Sequence, residues 1–458
     1  MTRKTLIVLV VSALICSAAA AADTERLLAM AAKQTDGALA VLSFKLTHEL
    51  GTRPMSGEAI CIDPSGLFVS FLFSSTMRAE DLSDFELLTL GLGGQTFKAK
   101  LVGIDPEIGM GFVQALGGQW KALSFAQKAN LYIGQEVVSV GVMPPETGYT
   151  RYFGSAYVSA LIRVPERQVY VTGGTLTSVG SPVLASDGRV VGIVHRQLPL
   201  SQDFIQTDRG RVAVRKAGEH EAAFFMPVDE FHHVIANAGK ERKLSWTGII
   251  RFKPLGEDLS GIMKLDRPGV MIDKIAPGTP ADQAKLQSRD VIVSVNGQSI
   301  EELGAPMLTA RNLERTLTRM PVGSQVQLSV FREGKVMEVT LTTAEMPTMP
   351  YQAQRYYSTA LGLGVRQRIA IDDYLEDSGI AKVPGVIVYL VVPNSPAAGA
   401  RVQENDVLST VAGAAVTTID AFKNIEKRIL DDKALKEVEL EVARGDAKEK
   451  LRLRLPGR

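Results

Sequence analysis

Two hydroxyls open the chemical reading of this chain. Ser178 and Ser181 sit in Thr177-Ser178-Val179-Gly180-Ser181-Pro182, a short Gly-bearing turn. It runs into an apolar strand, an Asp187-Gly188 turn and a second apolar strand, "VVGIVH". A serine on such a turn becomes a nucleophile only when a neighbouring base takes its proton, most often a histidine. The mature chain offers His48, His195, His220, His232 and His233. His195 closes an apolar strand and reads as a satisfied strand-end residue. His232 and His233 are adjacent on an expected helix, about 100° apart, and cannot chelate one ion well. No CxxC, HExxH, zinc-spaced His cluster or paired carboxylate is present. No metal or cofactor is expected, and both serines are most simply read as turn residues.

The elements that would position these residues follow from the apolar pattern. Residues 24–34, "TERLLAMAAKQ", read as a short helix. From Gly37 to about Val194 the chain is a series of short strands between Gly, Pro and Asp turns, among them "ALAVLSFKL", "FKAKLVGID" and "QEVVSVGV". That spacing predicts an all-β barrel or sandwich. Residues 199–221 read as a polar loop, and "PVDEFHHVIANAGK" as a helix ended by Gly239.

The first residues belong to no fold. Arg3 and Lys4 precede "TLIVLVVSALIC" and the small residues "SAAAAAD", which predicts a signal peptide over 1–22, cut between Ala18 and Asp23. Left uncut, Thr5 to Ala22 is just long enough to span a bilayer, and membrane contact is expected only in that case. Cleavage leaves 49 basic against 50 acidic side chains. Neither that balance nor any basic run points to nucleic acid. It also leaves one cysteine, Cys61 in "EAICID", which reads as a buried structural thiol and excludes an intramolecular disulfide.

The second half repeats itself. Shifted by 116 residues, "PGTPADQAKLQSRDVIVSVNG" lies on "PNSPAAGARVQENDVLSTVAG" with nine identities in 21 positions. The same ungapped shift lays Trp246-Thr247-Gly248-Ile249 on Gly362-Leu363-Gly364-Val365. Each copy resembles a bacterial PDZ domain, through its Gly loop, its "APGTPA" or "VPNSPA" turn, and the helix "ARNLERTL" or "FKNIEKRI". A loop glycine lets the backbone present its N–H groups to a carboxylate, and the next strand offers an edge to an extended peptide. Trp246, Thr247, Gly248 and Ile249, with Gly362, Leu363, Gly364 and Val365, are the candidate peptide-binding residues.

A strand-rich half followed by "AFFMPVDEF" and two such modules resembles the HtrA (DegP-like) family of trypsin-like serine peptidases. "MSGEAICIDPSGLFVS", "LVGIDPEIGMGFVQAL" and "GSPVLASDGRVVGIV" carry the resemblance through the first half. It implies a trypsin-like double β-barrel over 23–240, PDZ domains over 241–346 and 357–458, and a linker over 347–356. Carried across residue by residue, the family's histidine falls on Phe73, its aspartate on Gly109 and its serine on Val179. None can perform its step: phenylalanine accepts no proton, glycine has no side chain, and valine has no nucleophile. A one-residue slip would bring Ser178 to the turn, still without a base. Losing the serine or histidine alone removes turnover by about a million-fold.

The expectation is a secreted, periplasmic pseudoprotease that holds C-terminal or extended segments of client proteins through its PDZ domains, as a chaperone, adaptor or regulator. The resemblance implies trimers or larger homo-oligomers. Two alternatives stand beside it: an active endopeptidase with an atypical site, and a structural envelope protein that binds no peptide.

Overall fold

The computed structural model describes residues 23–91, 93–195, 203–207, 210–214, 223–374 and 379–455. The expected leader over 1–22 lies outside the described residues, as does His220. Among the described residues no helix is long and apolar enough to cross a membrane.

The chain divides into two compact units. The first begins with a helix over residues 23–34, which buries Leu27 and Ala31, one turn apart on one face. Strands β1 (Leu39–His48), β2 (Gly51–Asp63), β3 (Leu67–Ser70), β4 (Leu82–Thr89), β5 (Thr96–Ile104) and β6 (Gly111–Ala115) then close into a barrel in the order β1-β2-β3-β6-β5-β4. The period-two pattern of each strand serves two cores at once. Ala40, Leu42, Phe44, Cys61, Phe68 and Val113 fill one cluster, while Leu39, Ile60, Val69 and Phe112 turn to another. Cys61 is free and buried, and burial pushes its thiol up to about 11.

The second barrel is made by β7 (Glu136–Val142), β8 (Arg151–Arg163), β9 (Arg167–Thr172), β10 (Pro182–Leu184) and β11 (Val190–His195). After the hairpin of β12 (Asp203–Thr207) and β13 (Gly210–Val214), β14 (Ala223–Pro227) completes it in the order β10-β11-β14-β9-β8-β7. This β12–β13 hairpin stands where a loop is expected. The helix expected after it is shorter than its pattern. A 3-10 turn, Val228–Glu230, and a single helical turn, His232–Ile235, are separated by Phe231, whose backbone is not helical. Phe231 is fully buried, so packing holds the break that the local pattern does not encode.

The second unit holds the repeat as two sheets. The first runs Ile249–Pro254, Val270–Ile275, Val291–Val295, Gln325–Arg332, Lys335–Thr342. The second runs Arg355–Ser358, Leu363–Arg366, Val386–Val391, Val407–Val411, Glu437–Arg444, Ala447–Arg454. Its first strand begins at Arg355, two residues inside the expected linker. Each sheet carries the same forked ion pair. Arg332 donates to both oxygens of Asp290 at 2.6 and 2.7 Å, and Arg444 to both oxygens of Asp406 at 2.8 and 3.0 Å. Both aspartates are buried, where an unpaired carboxylate would be costly.

Candidate functional site

The turn that carries Ser178 is shaped by Gly180, whose φ is +97°. Ser181 N–H donates to Ser178 O at 3.1 Å across it, with Val179 and Gly180 as its central residues. A positive φ at the third residue of such a turn suits glycine. Val179 is 54 % exposed. The amides around it are engaged: Thr177 N–H donates to Ser139 Oγ at 2.8 Å and Gly180 N–H to Val194 O at 2.8 Å. An oxyanion hole needs free donors converging on one point, and these three amides are not free.

The loop after β3 meets this turn at one end and β6 at the other. An added Cβ at Gly180 would lie 3.7 Å from Phe71 Cβ. At the far end, a Cβ on Gly109 would lie 2.6 Å from Ser75 N. Between them Phe73 turns inward. Its ring stacks on Phe44 with centroids 4.9 Å apart and planes 5° apart, and a Cβ on Gly111 would lie 2.0 Å from the same ring. Phe73 is thus a core residue of the first barrel, Gly109 a backbone contact with no room for a side chain, and Val179 a surface residue.

The two carboxylates beside Gly109 are also committed. Asp105 accepts from the N–H groups of Glu107 and Ile108 at 3.1 and 2.8 Å, and from Arg242 at 3.0 Å. Glu107 pairs with Arg242 as well. His48 accepts from Leu50 N–H within its own turn, and His195 pairs in the ladder with Phe224.

One carboxylate does reach the serines, and sequence reasoning missed it. Glu58 on β2 accepts from Ser178 Oγ at 2.5 Å, from Ser181 Oγ at 2.7 Å and from Val142 N–H at 2.7 Å. Val142 ends β7, so a side chain of the first barrel is bonded to two elements of the second. Burial pushes the Glu58 carboxyl above the usual carboxylate range, with the three hydrogen bonds pulling the other way. The sequence signal was an acidic residue at the head of the apolar run "AICI". A carboxylate within hydrogen-bond reach of a serine hydroxyl has the chemistry of a general base, without the imidazole of a Ser-His-Asp triad.

In the PDZ modules the loop glycines are sterically fixed. Gly248 has φ +89° and Gly362 φ +63°, and an added Cβ would lie 2.0 Å from Thr279 Oγ1 and 2.2 Å from Ser395 Cβ, respectively. The hydrogen bonds give their equivalence. Thr247 O and Gly248 O accept from Ala281 and Ala276, and Leu361 O and Gly362 O accept from Ala397 and Val392. Gly248 therefore matches Gly362, not Gly364. The ungapped alignment is out of step here because the second module is two residues longer between this loop and the next strand. Trp246 matches Ala360 and Ile249 matches Leu363. Gly364 and Val365 lie along the following strand, with Val365 fully buried in the module's core.

Comparison with known proteins agrees with this architecture. The family model for a trypsin-like peptidase domain matches residues 69–193, and that for a PDZ domain matches 250–343 and 360–455. A probable periplasmic serine endoprotease, DegP-like, of Halomonas elongata is 25% identical over 363 residues, covering 76% of this chain and 70% of that protein. Its namesake in Hahella chejuensis is 26% identical over 354 residues, covering 74% and 69%. The solved structure of the HtrA-type protease AlgW with decapeptide superposes with a TM-score of 0.52 at 17% identity, covering 70% of this chain and 99% of that one.

Proposed function

Because the chain belongs to the HtrA (DegP-like) family of trypsin-like peptidases with PDZ domains, we propose that it is a periplasmic pseudoprotease that holds polypeptide segments without cutting them. Residues 23–240 are the barrel platform, 241–346 and 357–458 the PDZ modules, and the segment between them the linker. The observation that carries this reading is the fate of the histidine position. Phe73 is stacked inside the first barrel against Phe44, and the serine hydroxyls beside the vacant nucleophile position donate to Glu58. Binding then falls to the PDZ modules, and at Gly248 no side chain stands between the loop backbone and a peptide's terminal carboxylate. Assembly into trimers or larger homo-oligomers would multiply weak single contacts by avidity. The clients are exposed C-termini or extended strands of other proteins, and the roles that fit are chaperone, adaptor or regulator.

The Ser178–Glu58 contact favours one rival, an endopeptidase with an atypical serine. A fluorophosphonate probe and a casein cleavage assay separate the two. On the reading advanced here the protein stays unlabelled and casein intact. Labelling that disappears in Ser178→Ala, together with steady cleavage, would establish the rival.

A further inference from the structure

We infer that the two PDZ modules are not equivalent: residues 355–358 occupy the peptide-receiving edge of the second module in cis, so that peptide capture falls to the first module alone. The inference rests on the reading that these modules bind peptide.

In the first module the strand Ile249–Pro254 pairs on one side with Val270–Ile275, and among the described residues no strand pairs with its other edge. The residues just before its loop, Ser245–Trp246, go elsewhere and pair with Ala344–Glu345. In the second module the chain before the loop turns back. Arg355–Ser358 runs antiparallel along Leu363–Arg366, with Tyr356 opposite Val365 and Ser358 opposite Leu363. Gln367 N–H donating to Gln354 O at 2.7 Å extends the ladder. Leu363–Arg366 is thereby paired on both sides, since Val386–Val391 holds its other edge. An extended peptide adds to a sheet by bonding a free edge, and here that edge is taken.

The side chains of this segment engage the module's helix, Ile419–Asp431, as a bound peptide's would. The Tyr356 ring packs edge-on to Phe422 at 6.1 Å, and Lys423 Nζ lies over it at 5.2 Å. Ser358 Oγ donates to Glu426, which is buried. The loop's own donors are satisfied too. Leu361 N–H donates to Ser358 Oγ at 3.0 Å and Gly362 N–H to Ser358 O at 2.8 Å. The matching amides of Thr247 and Gly248 take no such partner among the described residues. Glu426 adds a buried acidic side chain beside the loop amide that a carboxylate would need.

A tethered strand acts at an effective concentration on the order of 1 mM, so a cis strand of about 10 μM intrinsic affinity would weaken any competing peptide there on the order of 100-fold. The test uses the full chain and fluorescein-labelled decapeptides ending in Val, Leu or Phe with a free carboxylate, beside their C-terminal amides. Binding stoichiometry is read by polarisation and backbone protection by hydrogen exchange. The expected result is one peptide per chain, slowed exchange over 247–254, and unchanged protection over 355–358 and 363–366. Tyr356→Ala/Ser358→Ala/Glu426→Gln should free the second edge and raise the stoichiometry to two. Peptide-dependent exchange at 363–366 in the unaltered protein, or two peptides per unaltered chain, would overturn the inference. If no peptide binds at all, the peptide-capture reading fails, and the cis strand is still judged by its exchange: fast exchange at 355–358 in the free protein overturns it, and protection there supports it.

Discussion

Glu58 Oε1 lies 2.5 Å from Ser178 Oγ, a contact between a strand of the first barrel and the Ser178–Ser181 turn of the second. The same carboxylate takes Ser181 Oγ and Val142 N–H, so it bonds the two barrels together at the turn that carries both serines.

This clamp predicts a pH dependence with a definite sign. The Glu58 pKa is raised in the folded protein by burial, so between its unfolded value and its folded value the folded state binds more protons. The contribution is therefore full below the ordinary carboxylate range and is lost as pH rises through the elevated folded value. Thermal unfolding of the intact chain followed from pH 4 to 8, beside Glu58→Gln, should show the difference in melting temperature moving in favour of the glutamine variant as pH rises. Parallel curves for the two proteins would refute the clamp's titration.

Phe73 should behave as a core residue. Phe73→Ala removes a buried ring stacked on Phe44 and should cost about 3–5 kcal/mol in denaturant unfolding. Reinstating the family's residues with Phe73→His/Gly109→Asp/Val179→Ser should restore no casein cleavage, because a Cβ at residue 109 would strike the Ser75 backbone. Cleavage by that triple variant would show that the site retains its geometry.

The register of the second loop is open to a direct comparison. Gly362→Ala combines a positive φ with a collision at Ser395 Cβ, whereas Gly364→Ala meets Leu390 and the ring of Tyr389 without that backbone demand. Gly362→Ala should be the more destabilising by about 1 kcal/mol or more, read by chemical unfolding. The reverse order would restore the ungapped alignment.

Arg444 neutralises a buried aspartate that also accepts Gln403 N–H at 2.8 Å. Arg444→Ala should destabilise the second module by about 2–4 kcal/mol, because it strands the Asp406 charge, and Asp406→Asn/Arg444→Met should recover part of the loss. Equal stability of Arg444→Ala and the parent would mean the pair carries no such role.

The domain plan was legible because it is written in local, repeating signals. Short strands bounded by turn residues predicted an all-β barrel or sandwich, the family resemblance implied the double barrel, and the 116-residue repeat marked two like modules. The β12–β13 hairpin escaped notice because its residues read as polar, and the break at Phe231 because burial overrides an otherwise helical pattern.

In the register that the family resemblance implies, residue types alone withhold the triad's chemistry at Phe73, Gly109 and Val179, since no fold lets a phenyl ring accept a proton or gives a glycine a carboxylate. Only the tertiary structure decided what stands there instead. Glu58 and Ser178 are 120 residues apart, and nothing in either local pattern pairs them. The same holds for Arg355–Ser358 folding back on Leu363–Arg366, where hydrogen bonds between backbones, blind to side-chain type, settle which edge is open. Long-range contacts and main-chain pairing depend on where packing brings the chain, and a linear pattern of residues does not carry that information.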